Sequence, residues 1–261
     1  MELTDAAHLG HLNLIEFCRH SATWGRNGAV QEHGGVLLFA CDTDFPVTMN
    51  GVFRTDDQTD PATVLAQADA FFGARQRGYS VWIRDGRDED LAAAASAAGL
   101  VEVLRTPEMV CLGRLPEQPL ANGVEVRRVA TVADVRAFAT INDAAYAVYG
   151  MPPVLDTAFS APARLLCPHV VAVIASVAGQ PAAAAMTLAS HGIAGVYWVG
   201  TLDQYRGRGL GEAVTRAVTN AGFDLGARIN TLQASPMGAP IYLRMGYQTV
   251  FDYRVYVRFV Q

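Results

Sequence analysis

The stretch YRGRGLGEAVTRAV, from Tyr205 to Val218, places three glycines and two arginines directly before a helix-like pattern. Val214, Ala217, Val218 and Ala221 have the spacing of one apolar helix face. The first amides of a helix have no partner within it, and that end of the helix is partly positive. Since glycines let an anion approach these amides, the pattern favours a phosphate or diphosphate site. A glycine-rich loop that only begins a helix is the alternative.

Two common phosphate-binding motifs do not fit this turn. A Walker A loop requires a lysine, and the chain contains none. A dinucleotide-binding fingerprint requires a glycine at the position that Glu212 occupies. That fingerprint also follows the first strand of its unit, whereas several strand patterns precede this turn. The turn therefore indicates a different kind of anion site.

Strand and helix patterns alternate along the whole chain. Before residue 112 we predict a helix in LGHLNLIEFCRH, a strand in GGVLLFAC, a helix from Pro61 to Gly78, a strand in YSVWI, a helix in DEDLAAAASAAG and a strand in LVEVLRTPEMVCL. After residue 123 the order is strand, helix, three strands, helix, strand, helix, and a closing strand or hairpin. A hairpin turn is expected at Gly179-Gln180, and Thr131 with Asp134 resembles a capping box. This order predicts a mixed α/β sheet.

A break in these patterns at LGRLPEQPLANG divides the chain, because its prolines and its Asn-Gly pair interrupt regular structure. We predict domains over residues 1–115 and 124–261, with a linker over 116–123. Residues 1–121 carry 17 acidic residues against nine arginines, whereas residues 122–261 carry eight against 11. An anionic ligand is therefore expected in the second half. The clustered aromatics and basic runs of a nucleic-acid-binding surface are missing from the sequence.

The general composition favours a globular protein of the cytoplasm. Half of the 261 residues are hydrophobic, and no apolar run approaches the roughly 18–20 residues that span a bilayer. The first residues lack the pattern of a signal peptide. The four cysteines are far apart, without metal-ligand spacing. We therefore expect a soluble protein that binds neither membranes nor a metal.

Arg206-x-x-Gly209-x-Gly211 resembles the R/Q-x-x-G-x-G/A signature of the GNAT acyltransferase superfamily. The later stretch LQASPMGAPIYLRMGYQTV is similar to that family's strand, short helix and Y-x-x-x-G-[FY] ending, here Tyr242 to Tyr247. The resemblance covers roughly residues 122–261. It implies a mixed, mostly antiparallel central sheet flanked by helices. Residues 1–115 are expected to be a degenerate, GNAT-like companion, so that the chain is a tandem of two such domains.

The resemblance implies that acetyl-coenzyme A is the acyl donor. Its diphosphate is expected at the residues of the turn, which are Arg206, Gly207, Arg208, Gly209, Leu210, Gly211 and Glu212. Its pantetheine arm is expected along Val199, Gly200 and Thr201, in a slot where this strand separates from the strand LQAS. The family often has asparagine at the position of Gly238, and Ser235 is the expected partial substitute for that contact.

The resemblance also implies direct attack of an amine on the thioester, with Tyr242 as the general acid. Aromatic packing is the alternative for that side chain. The strand before the turn lacks the family's usual glutamate, and His191 is its one group that titrates near neutral pH, although an ordinary loop histidine explains it too. Asp143, Tyr146 and Tyr149 lie where the family shapes its acceptor pocket, or else form an ordinary half-buried helix face.

We therefore expect an N-acetyltransferase that moves the acetyl group of acetyl-coenzyme A to a primary amine of a small molecule or protein. A non-catalytic acyl-coenzyme A sensor or interaction module is the alternative. Transfer of longer acyl groups is a third hypothesis, based on the small residues Ala182–Ala185. The sequence determines neither the acceptor, nor the general base, nor the oligomeric state.

Overall fold

The structure is a computed structural model and describes residues 3–260. Its α-helices are α1 Leu3–Ser21, α2 Pro61–Gly73, α3 Glu89–Ala97, α4 Val132–Tyr146, α5 Leu155–Ala158, α6 Pro162–Leu165, α7 Leu210–Asp224 and α8 Ala239–Met245. Short 3-10 turns lie at Ala147–Tyr149 and Asp203–Tyr205. Within the described range, none of the helices has both the length and the apolar character needed to cross a bilayer.

The strands join into one sheet of eleven. They are β1 Ala29–His33, β2 Val36–Ala40, β3 Asn50–Arg54, β4 Tyr79–Arg84, β5 Val101–Cys111, β6 Val124–Arg128, β7 Val170–Val177, β8 Gln180–Ser190, β9 Ile193–Thr201, β10 Asn230–Gln233 and β11 Gln248–Arg258. Their order across the sheet is β1-β2-β3-β4-β11-β5-β10-β9-β8-β7-β6. The pairs β3–β4 and β9–β10 are parallel, and the other neighbours in the described chain are antiparallel. The predicted mixed, mostly antiparallel sheet is confirmed.

The centre of the sheet interleaves the two halves of the chain. β11, at the end of the chain, lies between β4 and β5, and β5 lies between β11 and β10. The strands β4-β3-β2-β1 on one side thus correspond to β10-β9-β8-β7 on the other, an approximate twofold relation. One continuous sheet contains strands from both predicted domains. The domain limits at residues 115 and 124 therefore stay a prediction.

Helices cover both faces of the sheet. α1 and α4 cover what we call the front face, where Phe17 and Phe138 share a buried cluster with Tyr197. The back face is covered by α2 and α3 in the first half, where Phe72 is buried, and by α7 and α8 in the second, where Val214 is buried. Each fully buried side chain of this kind contributes about 1.5–3 kcal/mol to folding. The sheet that leads into the turn at Gly207–Gly211 is therefore packed against helices on both faces.

The helix predicted from Pro61 to Gly78 is shorter than expected. It ends at Gly73, and the guanidinium of Arg75 lies 3.6 Å from the centre of the Phe71 ring and donates to the Phe71 carbonyl at 2.7 Å. A side chain that bonds to one of the last carbonyls of a helix satisfies it and ends the helix. The charge pattern ARQRG therefore marks the end of the helix and not its continuation.

Other local predictions were partly right. The capping box of Thr131 and Asp134 is confirmed, because each side chain accepts a hydrogen bond from the other residue's backbone amide. The β7–β8 turn lies one residue earlier than predicted, at Ala178-Gly179, where both residues have positive φ. The closing segment is one long strand and not a hairpin. The sequence patterns did not reveal β1, β3, α5 or α6.

Candidate functional site

The turn between β9 and α7 leaves backbone amides open at a helix N-terminus. Gly207 and Gly209 both have φ of +74°, a conformation that other residues rarely adopt, and a Cβ on either would have no atom within 4 Å. α7 begins at Leu210, and no side chain caps its first turn. The amides of Leu210, Gly211 and Glu212 therefore have no partner within the helix. The turn provides donors and space for an anion.

Two arginines border this turn. Arg206 is about one-third exposed and lies 2.8 Å from the carboxylate of Asp203, which is itself almost fully exposed. The guanidinium of Arg208 lies 5.5 Å from the centre of the Tyr205 ring. Neither contact buries the arginine, so both guanidinium groups remain able to meet an anion at the turn.

The other two side chains of the turn point elsewhere. Leu210 is buried in the back-face core. Glu212 bonds to Arg216 at 2.6 Å, and Arg216 also donates to the carbonyl of Pro116 at 2.7 Å. Arg216 therefore neutralises the Glu212 carboxylate, which would otherwise repel an anion. Only the backbone amides of these two residues are suited to the predicted role.

β9 and β10 separate beside this turn. They pair in parallel only at Ala194–Asn230 and Gly195–Thr231, although β9 continues as far as Thr201. The slot expected from the sequence therefore exists between these strands. It opens toward the end of β9 that leads into the glycine turn.

A β-bulge interrupts β9 along this slot. Ala184 pairs with Gly200 and Met186 pairs with Tyr197, so that Trp198 and the next residue oppose a single residue of β8. Trp198 has φ of +52°, which is a strained conformation for a residue with a large side chain. Bulges often lie beside functional sites, where they turn backbone groups and side chains in new directions.

The predicted pantetheine residues lie on the bulge and just after it. The strand register gives Val199 no paired residue on β8 or β10. A Cβ at Gly200 would lie 2.5 Å from Oδ1 of Asn142, which shows that this glycine permits close packing of α4. The Oγ1 of Thr201 lies 3.3 Å from where a Gly211 Cβ would be, so the end of β9 touches the start of α7.

Tyr242 lies on α8 on the back face, where its side chain is buried. A Cβ at Gly238 would lie 2.7 Å from Cε2 of Tyr242, so this position of the ring excludes the asparagine that the family often has there. Ser235 uses its Oγ to accept the Gly238 amide at 3.1 Å. Burial raises the pKa of Tyr242, and the nearby Thr215 hydroxyl lowers it by less.

The structure brings two of the predicted acceptor residues, Tyr146 and Tyr149, together beside the bulge of β9. The rings of Tyr146 and Tyr149 lie 6.0 Å apart, and Tyr146 lies 5.2 Å from the Trp198 ring of the bulge. Burial raises the pKa of Tyr146, and the Tyr242 and Tyr149 hydroxyls raise it further. These aromatic side chains therefore form one cluster at the slot.

Two other predicted residues lie apart from this cluster or are used differently. Asp143 accepts the backbone amides of Val154 and Leu155 at 3.1 Å, so it holds the start of α5. His191 is in the exposed β8–β9 turn with φ of +53°. Because β9 spans nine residues, that turn is about 25 Å from the glycine turn. The structure does not bring His191 to the slot.

Sequence reasoning missed a buried acid beside the slot. Glu108 on β5 is fully buried, and its carboxylate accepts hydrogen bonds from Thr231 and Gln233 of β10. Burial raises the pKa of Glu108 to about 7. Its signal in the sequence is a lone acid within the apolar strand segment TPEMVC.

The first half carries a counterpart of the glycine turn with the opposite charge. The segment TDDQTD, residues 55–60, leads from β3 into α2 as the glycine turn leads from β9 into α7. It contains three aspartates and no arginine, and the Asp60 carboxylate accepts the Thr63 amide at 3.2 Å. This turn is unsuited to a diphosphate because its own carboxylates would repel one.

An ion-pair network also joins the ends of β3 and β4. Arg54 bonds to Asp88 and Asp90, each at 2.7 Å, and Arg84 bonds to Asp88 and Asp57, each at 2.7 Å. The side chains of Arg54 and Asp88 are only 3% exposed. The network therefore fills the place that corresponds to the β9–β10 slot.

One cavity lies away from the slot. It has a volume of about 650 Å³ and lies at the opposite end of β10, lined by Asp5, His8, Leu9, Leu112, Arg228 and Ile229. In residues 3–260, no group of three or more His, Cys, Asp or Glu side chains is arranged to hold a metal ion. The glycine turn remains the site whose donors match a defined ligand chemistry.

Comparisons with solved structures place the fold. A GCN5-related N-acetyltransferase from Kribbella flavida matches 95% of this chain and 94% of its own, with a TM-score of 0.72 and 23% identity. One from Sphaerobacter thermophilus matches 87% and 77%, with a TM-score of 0.65 and 16% identity. A tandem GNAT protein from the clavulanic acid biosynthesis pathway matches 100% and 97%, with a TM-score of 0.60 and 11% identity. No protein-family model and no curated protein matches the sequence. Together with the approximate twofold relation of the strands, these matches show that the chain has the fold of the GNAT superfamily, in tandem.

Proposed function

We propose that this chain transfers an acyl group, in the first place acetyl, from coenzyme A to a primary amine. The observation that carries the proposal is the glycine turn, whose open amides lie at the start of α7 beside the β9–β10 slot. A helix N-terminus with accessible amides is a general site for phosphate groups. The fold shared with GCN5-related N-acetyltransferases supports the same conclusion.

The residues of the turn fit the charge and shape of a diphosphate. The amides of Leu210, Gly211 and Glu212 would donate to it, and Arg206 and Arg208 would add charge at the rim. The backbone at Val199–Thr201 would bond to the pantetheine arm along the slot. Bound acetyl-coenzyme A would supply the thioester that the amine attacks.

Tyr242 is suited to protonate the departing sulfur. Because burial raises its pKa above the ordinary value of 10, the hydroxyl stays protonated at neutral pH and can donate its proton. The aromatic cluster of Tyr146, Tyr149 and Trp198 on the neighbouring side would hold the acceptor. Aromatic faces bind a cationic amine and keep water from the reacting atoms.

Replacing Tyr242 with phenylalanine is expected to lower kcat by about 100-fold, because a general acid contributes about 10²–10⁴ to a rate. The affinity for coenzyme A should change little, since the ring and its packing remain. Thiol release measures kcat, and calorimetry measures the affinity for coenzyme A. Tyr247→Phe is the matched control: its hydroxyl bonds to Thr219 at 2.7 Å, so it should affect stability and not kcat. Full activity of Tyr242→Phe would remove the acid role.

The second candidate function is a non-catalytic acyl-coenzyme A sensor. It is favoured by the stretch Ala182–Gly200, which contains no acidic residue. Both functions require coenzyme A binding, so binding does not separate them. The two functions are separated by measuring thiol release from acetyl-coenzyme A with a panel of polyamines, aminoglycosides and peptides. Turnover with any of these amines supports the transferase, and coenzyme A binding without turnover supports the sensor.

A further inference from the structure

Glu108 lies level with the slot although it belongs to the first half of the chain. Thr231 pairs with Gly195, so Gln233, two residues further along β10, is level with Tyr197 on the parallel strand β9. Gln233 in turn pairs with Glu108 on β5. The carboxyl group is thus one strand beyond the slot, at the height where the bulge of β9 begins.

The side chain of Glu108 faces the front of the sheet, beneath α1. A Cβ at Gly10 of α1 would lie 2.4 Å from Oε1 of Glu108, so the helix leaves room for the carboxyl group only because it has glycine there. Oε1 accepts from Thr231, and Oε2 accepts from Nε2 of Gln233 at 2.6 Å. Gln233 is the last residue of β10 and is only half-buried.

The titratable groups around Glu108 provide no counter-charge. His11 of α1 bonds to the Tyr253 hydroxyl of β11 at 2.8 Å, and burial lowers the pKa of His11 to about 3, so it is neutral. Tyr197 of β9 donates to Asn13 at 2.6 Å, and burial raises the pKa of both tyrosines, with Glu108 raising each further. In the described chain, the carboxyl group has two neutral donors and no paired cation.

We propose that Glu108 is the proton acceptor for the amine substrate, supplied to the active site of the second half by a strand of the first. This inference rests on the proposed acyl transfer and names the base that β9 lacks. Movement of the Gln233 side chain, which stands at the half-buried end of β10, would open Oε2 of Glu108 to the slot.

An acceptor in its ammonium form must lose a proton before it can attack. The ammonium group gives one proton to the Glu108 carboxylate, and the neutral amine attacks the thioester carbon. The carbon–sulfur bond breaks, Tyr242 gives its proton to the departing thiolate, and the new amide nitrogen returns a proton to Tyr242. Glu108 then releases its proton to water as the products leave. No oxidant, metal or further reactant is required.

The pKa of Glu108, raised to about 7 by burial, agrees with this role. A general base works best when its pKa is near the operating pH. An ordinary glutamate, with its pKa near 4.5, would hold a proton from an amine less well.

The direct test observes the carboxyl group itself. The protein is labelled with glutamate carrying ¹³C at the carboxyl carbon, and the signal absent from Glu108→Gln is assigned to Glu108. We expect this signal to titrate near neutral pH and to shift when coenzyme A is added. Glu102, an exposed acid on the same strand, is the matched control: its signal, assigned by its loss in Glu102→Gln, should not shift when coenzyme A is added.

The turnover test uses the most active amine of the panel. Glu108→Gln should lower kcat by about 100-fold, remove the acidic limb of the kcat profile near pH 7 and keep the affinity for coenzyme A. Glu102→Gln should behave as wild type. An unchanged acidic limb, or a Glu108 signal that ignores bound coenzyme A, overturns this inference alone. Failure of wild type to bind coenzyme A overturns the proposed function, and this inference with it.

Discussion

Replacing Gly209 with valine is expected to weaken coenzyme A binding by about 100-fold or more. The residue has φ of +74° and faces open space, so a branched side chain would both strain the turn and block the approach to the α7 amides. Each charge-assisted hydrogen bond contributes about 1.5–3 kcal/mol, and the loss of two gives this factor or a larger one. Isothermal calorimetry of coenzyme A with the purified variant measures the effect.

The matched control is Gly226→Val, at the other end of α7. Gly226 has φ of +89° and likewise has no neighbouring atom within 4 Å of a Cβ, so valine there carries a similar backbone cost. Its coenzyme A affinity should equal that of wild type. Equal affinities for wild type and Gly209→Val would remove the turn from the coenzyme site, whereas equal losses in both variants would point to general unfolding.

The second large effect is expected in the first half, where Asp88→Asn should lower the free energy of unfolding by about 3–5 kcal/mol. Asp88 accepts from the guanidinium groups of Arg54 and Arg84, and both its side chain and that of Arg54 are almost fully buried. Removing one partner of a buried pair leaves uncompensated charge, which accounts for a loss of this size. Urea denaturation followed by fluorescence measures it.

The pH dependence of this effect has a defined sign. Burial would raise the pKa of Asp88, but the hydrogen bonds from Arg84 and Arg54 outweigh burial and lower it below 3.8. The stabilisation is therefore fully present above pH 3.8 and is lost as the pH falls through the lowered pKa. The difference in the free energy of unfolding between wild type and Asp88→Asn should therefore decrease at acidic pH.

Asp224→Asn is the control for the same chemical change at an exposed pair. Asp224 is 67% exposed and bonds to Arg114 at 2.7 Å. Exposed pairs contribute about 0–1 kcal/mol, so the free energy of unfolding of this variant should stay close to that of wild type. A similarly small loss in Asp88→Asn would show that the first-half network is not a stabilising element.

The network also gives a physical account of the difference between the two halves. Where the second half has a glycine turn and an open slot, the first half has three aspartates and arginines bound to its own carboxylates. Several acidic residues of the first half are thus bound to arginines of the same half. Of the two corresponding turns, the glycine turn of the second half is therefore the one suited to a diphosphate.

Local features of the site could be predicted from the sequence. The glycine turn, the helix after it and the order of strands and helices in the second half depend on spacing and turn chemistry within short segments. The β9–β10 slot could be expected only through the family resemblance. The structure adds the positive φ of Gly207 and Gly209 and the neutral pairing of Glu212 with Arg216.

The features that the sequence did not reveal depend on contacts between distant segments. β11 pairs with β5 although their residues are more than 100 positions apart, and no short-range sequence pattern indicates this pairing. Glu108 therefore seemed to belong to a separate first domain, although it lies one strand from the slot. The absence of asparagine at Gly238 likewise becomes understandable only from the position of the Tyr242 ring.

The central claim is that backbone amides after Arg206 bind the diphosphate of coenzyme A. A crystal structure of the protein with coenzyme A tests it most directly. We expect the diphosphate oxygens within about 3 Å of the amides of Leu210, Gly211 and Glu212, with the arm passing along Val199. A coenzyme bound elsewhere, with these amides facing only solvent, would contradict the account.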